Sequence, residues 1–261
     1  MLRFYPDSLT ISFTTVFGIA VVVSAEMSKV SRIDQRYTLI YLRLIAFMKI
    51  PLANLLKKRQ QVETAFLQDE IIGIIYLMTE DMVLHGGTAI WRCYSGKRFS
   101  EDLDFYSPTF PSLTKHFEKI GSSRGLKVTK IKDTGNVISS TISNGKTSVK
   151  LEVNHARKVE GSITTYELAD GTGIEILSLT PDQFIEEKID AYSNRRYVRD
   201  LYDIYHLVKS YRIMASTRTN LKQFLQTVQR PVDEPILKSI VYMGLAPTFD
   251  RMVDEIRRNI A

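Results

Sequence analysis

Residues 82–106 constrain the fold more than any other stretch of the chain, because they combine two short strands with a glycine turn and a helix. The predicted order is a strand, a small-residue turn, a helix and a second strand, at 82–84, 86–88, 88–93 and 102–106. Alternate side chains of a strand share a face, so Asp102 and Asp104 point one way, while Leu103 and Phe105 point into a core. We therefore expect an α/β core that presents two carboxylates beside a glycine turn.

These carboxylates and the turn indicate one kind of chemistry. Two ionised carboxylates a few ångströms apart repel each other, and a cation such as Mg²⁺, which prefers oxygen ligands, removes that repulsion. The backbone N–H groups of Gly86-Gly87-Thr88, at the start of a helix, could hold a phosphate. A metal site next to a phosphate site suggests phosphoryl or nucleotidyl transfer. Asp-x-Asp alone is a weak signal, and the alternative is the exposed face of an edge strand.

A third carboxylate stands in a stretch of alternating residues. Within residues 148–154, apolar side chains alternate with Lys150, Glu152 and Asn154. If this strand lies beside the Asp102–Asp104 strand, Glu152 can complete a three-carboxylate cluster for two metal ions. Such ions would activate an attacking hydroxyl and stabilise the transferring phosphate. The alternative is an ordinary solvent-facing glutamate, since half-exposed strands alternate in the same way.

Two predicted helices over residues 182–208 carry a candidate lysine and two candidate aspartates. Lys188 shares a face with apolar neighbours, and Asp200 and Asp203 lie one turn apart. The lysine could bind a triphosphate or stabilise the leaving pyrophosphate, with an aspartate orienting it. The alternative is an ion-paired helix surface without chemistry. Three nearby residues could hold phosphates of a nucleotide or of RNA: Arg195, Arg196 and Arg199.

The remaining pattern predicts a helical lead-in, an α/β centre and an all-α tail. Residues 29–50 and 53–80 carry apolar residues at helical spacing, and the second run predicts one long amphipathic helix. Asn144-Gly145 predicts a hairpin turn, and Thr180 followed by Pro181 predicts a helix start. The other predicted elements are a helix at 112–123, strands at 126–132, 136–143, 147–154, 164–168 and 173–176, and helices from 180 onward.

Composition limits the partners and the redox chemistry. The net charge of +6 suits a polyanionic partner such as RNA without requiring one. The single cysteine, Cys93, excludes an intramolecular disulfide and a cysteine-rich zinc site. The four histidines show no metal-ligand spacing, and a structural role is expected for His85 despite its place beside the glycine turn.

The first residues allow four interpretations. Residues 8–25 contain no charged side chain and resemble a signal peptide, a marginal membrane span, or an extra helix packed on the domain. The fourth interpretation, which we favour, is a start codon assigned too early, with Met27 as the true first residue. Chemistry that uses a nucleoside triphosphate needs the cytosol, so we expect a cytoplasmic protein without stable membrane association.

Two runs of the chain resemble one known family. The run from Gly86-Gly87-Thr88 through Arg98-Phe99-Ser100 to Asp102-Leu103-Asp104-Phe105 resembles the first motif of the AbiEii/AbiGii toxin nucleotidyltransferases, the MenT-like group. Glu186-Glu187-Lys188, followed by Arg199-Asp200-Leu201-Tyr202-Asp203-Ile204, resembles that family's third and fourth motifs. The motifs occur in the correct order, and the similarity covers residues 60–210.

This resemblance implies a fold and a domain organisation. The family belongs to the DNA polymerase β-like nucleotidyltransferase superfamily, which implies an α+β fold with a mixed sheet, helices on one side and an all-α C-terminal region. The implied parts are a doubtful apolar segment at 1–26, a nucleotidyltransferase catalytic domain with its helical lead-in at 27–178, and a helical C-terminal domain at 179–261.

The resemblance also implies the site residues. The implied catalytic residues are Asp102, Asp104, Glu152, Lys188 and Asp200, with the metal held by Asp102, Asp104 and Glu152. The implied substrate-binding residues are Gly86, Gly87, Thr88, Arg98, Ser100, Arg199 and Asp203. Gly87-Thr88 stands where a Gly-Ser pair usually holds the triphosphate; the change keeps a hydroxyl but departs from the pattern of the wider superfamily. Asp200 and Asp203 both fit the acid of the fourth motif, and Asp200, next to Arg199, is the first choice.

The implied activity is Mg²⁺-dependent transfer of a nucleoside monophosphate from an NTP to an acceptor. Some members of the family modify the acceptor end of tRNA and so block aminoacylation, which makes tRNA the expected acceptor and a cognate antitoxin the expected partner. Two alternatives stay open. The acceptor is a small molecule or a protein, or the chain is a catalytically idle module that binds a nucleotide or a partner.

Overall fold

A seven-stranded mixed sheet organises residues 50–261, the part of the chain that this computed structural model describes. The strands are β1 (Val83–His85), β2 (Leu103–Tyr106), β3 (Lys127–Asp133), β4 (Val137–Ser143), β5 (Ser148–Asn154), β6 (Ser162–Glu167) and β7 (Gly173–Ser178). The α-helices are α1 (Leu52–Leu55), α2 (Arg59–Met78), α3 (Gly86–Cys93), α4 (Phe110–Ser123), α5 (Pro181–Arg195), α6 (Val198–Ser210), α7 (Ala215–Thr227), α8 (Leu237–Ile240) and α9 (Phe249–Ile260). A short 3-10 helix, Glu234–Ile236, precedes α8.

The predictions for residues 8–25 and 29–50, and the proposed start at Met27, lie outside the described residues. Within residues 50–261, no helix combines the length and the apolar character that crossing a membrane requires.

The strand order β3-β4-β5-β2-β1-β7-β6 places the two carboxylate-bearing strands side by side. β2 runs parallel to β5, β1 runs parallel to β7, and the other neighbouring pairs are antiparallel. The two strands predicted around the glycine turn, β1 and β2, are neighbours near the centre of the sheet. The sheet and its helices confirm the expected α+β fold.

One face of the sheet is buried and the other is open at β3–β5. In β5, Val149, Leu151 and Val153 are buried while the residues between them are at least partly exposed. Helix α4 lies on the buried side, where its Gly121 faces Val128 of β3. This alternation follows from the two-residue period of a strand. It leaves the side chains of Lys150 and Glu152 on the open face.

The long amphipathic helix predicted over residues 53–80 is wrong in two respects. The backbone is extended at Leu56, so α1 and α2 are separate helices. Along α2, Gln68 is buried while Leu77 is 69% exposed. Gln68 is buried because its side-chain amide donates to the backbone carbonyls of Ser100 and Glu101, both at 3.0 Å. Tertiary hydrogen bonds here outweigh the hydrophobic pattern.

The helical tail begins as predicted. The Thr180 hydroxyl accepts a hydrogen bond from the backbone N–H of Gln183, and the Gln183 side chain accepts one from the backbone N–H of Thr180. This capping box starts α5 at the predicted residue. The apolar faces of α5, α6, α7 and α9 belong to the same hydrophobic core as the sheet. Glu187 of α5 contacts Tyr106 of β2 and His85 of β1, so the tail is fixed beside the two central strands.

Candidate active site

A row of polar side chains crosses the central strands on one face. His85 of β1 is paired in register with Asp104 of β2, and Asp104 is paired with Glu152 of β5. Side chains in register on neighbouring strands lie about 5 Å apart at their Cβ atoms. The structure therefore confirms that the Glu152 strand lies beside the strand of Asp104, as the three-carboxylate hypothesis required.

The glycine turn packs directly onto the carboxylate strand. Gly86 has a positive φ of 74°, a conformation that favours glycine, and a Cβ atom at this position would overlap the Asp104 carboxylate. A Cβ atom on Gly87 would overlap the side chains of Arg98 and Ser100. Both glycines are therefore needed for close approach, and the turn faces Asp104 as predicted.

Asp102 and Asp104 have no partner in the part of the chain that the structure describes. Neither carboxylate takes part in a hydrogen bond or ion pair there. Partial desolvation raises the pKa of both carboxyls, and the negative charges of the neighbouring acids raise it further, although the charge of Lys150 opposes the shift at Asp102, which is itself an exposed residue. For Asp104 the charge of His85 opposes this shift in part. The ionised pair is thus in an unfavourable environment that an added cation would relieve.

Glu152 is differently placed. Its carboxylate lies 2.9 Å from the ammonium group of Lys150, and its side chain is 38% exposed. Among residues 50–261, no three Asp, Glu, His or Cys side chains are gathered closely enough to hold a metal ion. Glu152 is therefore next to Asp104 by register, but its carboxylate is turned toward Lys150 in this structure.

Lys188 lies between two buried aspartates. Its ammonium group is 3.2 Å from Asp200 Oδ1 and 2.9 Å from Asp203 Oδ2, and the lysine itself is buried. Burial opposes the ionisation of Asp203, but the charges of Arg98 and Lys188 outweigh it and lower the pKa of this carboxyl. The ion pairing that the alternative interpretation predicted is present, but its location on a helix surface is wrong, because both aspartates are almost completely buried.

Arg98 and Thr88 are engaged inside the protein rather than directed at a substrate. The Arg98 guanidinium donates two hydrogen bonds of 2.6 Å to the Asp203 carboxylate, and its side chain is only 5% exposed. Thr88 is fully buried, and its hydroxyl donates to the backbone carbonyl of Asp102. This geometry corrects the prediction that both side chains contact the substrate. Arg98 instead connects the segment before β2 to α6, and Thr88 connects α3 to the residue that precedes β2.

Two exposed arginines lie near enough to Asp102 and Asp104 to interact with them electrostatically. Arg195 donates to Asp200 from both Nε and Nη2, at 2.8 and 2.9 Å, and its side chain is 41% exposed. Arg199 is exposed, and its charge lowers the Asp102 pKa in part. Both guanidinium groups stack over the ring of Tyr197, at 5.3 and 5.5 Å from its centroid. Arg195 is thus engaged with Asp200, whereas the Arg199 guanidinium forms no hydrogen bond or ion pair with an acidic side chain among residues 50–261.

Sequence reasoning missed several residues that build the site. The Glu187 carboxylate accepts a 2.5 Å hydrogen bond from the Tyr106 hydroxyl and lies 3.4 Å from His85 Nδ1. The His85 ring stacks on Tyr106, with the centroids 3.9 Å apart. The expected structural role of His85 agrees with these contacts. Tyr106 follows Asp104 by two residues on the same face, which is a signal that the sequence did contain.

One family model matches residues 76–259, that of the nucleotidyl transferase AbiEii toxin of type IV toxin–antitoxin systems. The chain belongs to the AbiEii family. It is accordingly a nucleotidyltransferase enzyme, and the match covers the glycine turn, all three carboxylates and the helical tail. No curated protein sequence matches the chain.

Two solved structures share the fold of this AbiEii protein. The nucleotidyltransferase toxin MenT4 of Mycobacterium tuberculosis H37Rv has 17% identity and a TM-score of 0.55, over 77% of this chain and 83% of MenT4. The protein JHP933 of Helicobacter pylori has 22% identity and a TM-score of 0.54, over 76% of this chain and 90% of JHP933. At these identities the likeness concerns the fold.

The donor set of this AbiEii chain fits a divalent metal ion. Nucleotidyltransferases of this type generally use one. Within residues 50–261, Asp102 and Asp104 offer carboxylate oxygens without partners, and the Gly86 turn leaves room for the Asp104 carboxylate. Hard oxygen donors suit Mg²⁺. Glu152 is within reach by register, on condition that its contact with Lys150 is broken.

Proposed function

We propose that this enzyme transfers a nucleoside monophosphate from an NTP to tRNA in a Mg²⁺-dependent reaction. We further propose that it acts in the cytoplasm as the toxin of a pair with a cognate antitoxin. The observation that carries the proposal is the Asp102–Asp104 pair, which has no partner among the described residues and packs against the Gly86 turn at Asp104, within the influence of the Lys188 charge. The family membership and the basic net charge support the choice of an RNA acceptor.

In this proposal Asp102 and Asp104 would hold the metal, and Glu152 would serve as the third donor once its contact with Lys150 is broken. When bound, Mg²⁺ would lower the pKa of the attacking hydroxyl and neutralise charge on the transferring phosphate. The position of Glu152 next to Asp104 supports its role as the group that receives the proton of the acceptor hydroxyl.

The chain's own cations and dipoles place the triphosphate. The N–H groups at the start of α3 lie in the Gly86–Gly87 turn, where a phosphate oxygen would meet them. Lys188 is held by Asp200 and Asp203, so it supplies a positive charge in a fixed position that stabilises the departing pyrophosphate. The contacts of both aspartates with Lys188 support a positioning role for each, although only Asp200 was the first choice.

The test is an incubation with each α-labelled NTP in turn, in the presence of Mg²⁺ and of separate RNA, protein and small-molecule pools. We expect label in the tRNA fraction with one or more NTPs. Asp104→Asn should remove the label, and the matched control Asp254→Asn, an exposed aspartate on α9, should keep it. Label in the protein or small-molecule pool alone would refute the tRNA acceptor. No label in any pool would refute the activity.

A second experiment addresses the toxin role. Induced expression of the wild-type chain should arrest growth of a bacterial host, and the Asp104→Asn chain, at equal expression, should not. Equal toxicity of both chains would separate growth arrest from nucleotidyl transfer and contradict the proposal.

A further inference from the structure

The segment 124–150, which contains β3, β4, the turn between β4 and β5, and the first residues of β5, is strongly basic. It carries six basic residues, Arg124, Lys127, Lys130, Lys132, Lys146 and Lys150, and a single acidic residue, Asp133. Its net charge of +5 therefore accounts for nearly the whole net charge of +6 of the chain. Charge concentrated on one supersecondary unit is the electrostatic pattern of a surface that binds a polyanion.

The strand register places part of this charge on the face that carries the carboxylates. Lys132 of β3 is paired with Ser139 of β4, which is paired with Glu152 of β5. In the next row, Thr129 is paired with Thr141, which is paired with Lys150. Lys127, two residues before Thr129, shares this face. We call this set of side chains the basic sheet face: Lys127, Thr129, Lys132, Ser139, Thr141 and Lys150.

The basic sheet face is accessible to a ligand. Lys127 and Lys132 are exposed, and neither forms an ion pair or side-chain hydrogen bond within residues 50–261. Helix α4 covers the other side of β3, at Val128. The hydroxyls of Ser139 and Thr141 stand between the lysines, and hydroxyl and ammonium donors together are the groups that contact phosphate oxygens in nucleic-acid complexes.

The distance between the lysines of β3 and the carboxylates is too long for a small acceptor to span and short enough for a polynucleotide. Neighbouring strands lie about 4.8 Å apart, so the Lys132 row is about 10 Å from Glu152 and about 15 Å from Asp104. A small acceptor bound at the carboxylates would not reach β3. A polynucleotide whose end lies at the carboxylates would continue across β5 and β4, with a phosphate near each lysine.

We propose that the basic sheet face binds the phosphate backbone of a polynucleotide acceptor and guides its end to Asp102 and Asp104. The proposal rests on the proposed function only in taking the acceptor to be a polynucleotide. Binding at this face would be independent of sequence, because phosphate contacts position a strand and do not read its bases.

The test is the binding of fluorescently labelled bulk tRNA to the full chain, measured by anisotropy at several salt concentrations and without NTP. Lys127→Gln/Lys132→Gln should raise Kd about tenfold and make the salt dependence shallower by about two units of slope. The matched control is Lys115→Gln/Lys119→Gln on α4, with the same loss of charge from exposed lysines on the covered side of the sheet. It should change Kd less than twofold.

Three further measurements keep the outcome decisive. Lys127→Arg/Lys132→Arg retains the charge and should bind like the wild type, which separates lost charge from a folding defect. The same comparison in an Asp104→Asn background should give the same ratios, so a failure of nucleotidyl transfer would leave this result readable. Equal losses in the two Lys→Gln pairs, or no loss in either, would overturn the proposal. Anionic phospholipid vesicles that bind through Lys127 and Lys132 while tRNA does not would also overturn it.

Discussion

The two aspartate pairs of the site have the same side chains in opposite surroundings. Asp102 and Asp104 lie at the start of β2 and have no partner among the described residues. Asp200 and Asp203 lie one turn apart on α6, are almost completely buried, and are surrounded by Lys188 and two arginines. The first pair is short of positive charge and the second pair is supplied with it by the chain itself.

Because of this difference, the pKa of Asp203 shifts in the opposite direction from the pKa values of Asp102 and Asp104. Partial desolvation and neighbouring acids raise the pKa of Asp102 and Asp104, so the ionised forms destabilise the metal-free fold at pH values above their folded pKa. Arg98 and Lys188 outweigh burial and lower the pKa of Asp203, so its ionised form stabilises the fold above its unfolded pKa. The comparison shows that the Asp102–Asp104 pair would be stabilised by a bound cation, whereas Asp200 and Asp203 hold lysine and arginine side chains of the chain itself in fixed positions.

The largest expected effect comes from removing a carboxylate of the first pair. Asp104→Asn should lower the transfer rate at least about 10³-fold, because a metal-binding group is lost. The metal-free variant should be as stable as the wild type or melt about 2 °C higher at pH 7.5, since an unfavourable charge is removed. Rate assays and thermal melts measure the two effects. Retained transfer, or a large fall in melting temperature, would contradict the comparison.

The second effect comes from the buried pair and concerns stability. Asp203→Asn leaves the buried Arg98 without its counter-charge, and breaking such a pair costs about 3–5 kcal/mol. The melting temperature should fall by about 10 °C. The matched control is Asp250→Asn, whose ion pair with Arg230 is exposed, and which should cost less than about 1 kcal/mol. Equal melting temperatures of the two variants would show that Asp203 is not structural.

Metal addition should produce a smaller effect with a defined pH dependence. Mg²⁺ at about ten times its Kd should stabilise the wild type by about 1.4 kcal/mol, or about 3–5 °C, and should not stabilise Asp104→Asn. Because the pKa of both carboxyls is raised, protons compete with the metal, and the gain should shrink as pH falls from 7.5 to 5. A gain that is the same in both proteins would place the metal elsewhere.

The smallest expected effect comes from an ion-paired carboxylate near the surface, that of Glu255. Glu255 on α9 contacts Lys209 and Arg251, and these contacts lower the pKa of its carboxyl to about 2. Since the folded pKa lies below the unfolded value, its stabilisation is present above pH 4.5 and is lost as pH falls toward 2. Glu255→Gln should lower the melting temperature by about 1–3 °C at pH 7, and the difference should narrow below pH 4.5. A pH-independent difference would indicate lost packing instead.

Local patterns predicted most elements of the fold. The predicted strands at 126–132, 136–143 and 147–154 correspond to β3, β4 and β5, because alternation and the Asn144-Gly145 turn act over neighbouring residues. The extended residue Leu56 between α1 and α2 was not predicted. The buried Gln68 was not predicted either, because its cause is a pair of hydrogen bonds to the carbonyls of Ser100 and Glu101, 32 and 33 residues further along the chain. The same reason explains why Arg98 was assigned to the substrate: its partner Asp203 is 105 residues away.

The sequence by itself determined which local elements carry the functional groups. These are a glycine turn, an Asp-x-Asp strand, an alternating strand with Glu152, and a helix start at Thr180. Periodicity and turn chemistry are properties of adjacent residues, so these features can be read without a fold. Only the tertiary structure decided which acids remain without partners. Strand order brought Glu152 beside Asp104, and helix packing surrounded Asp200 and Asp203 with cations, because electrostatic partners depend on distances in space that the sequence pattern does not contain.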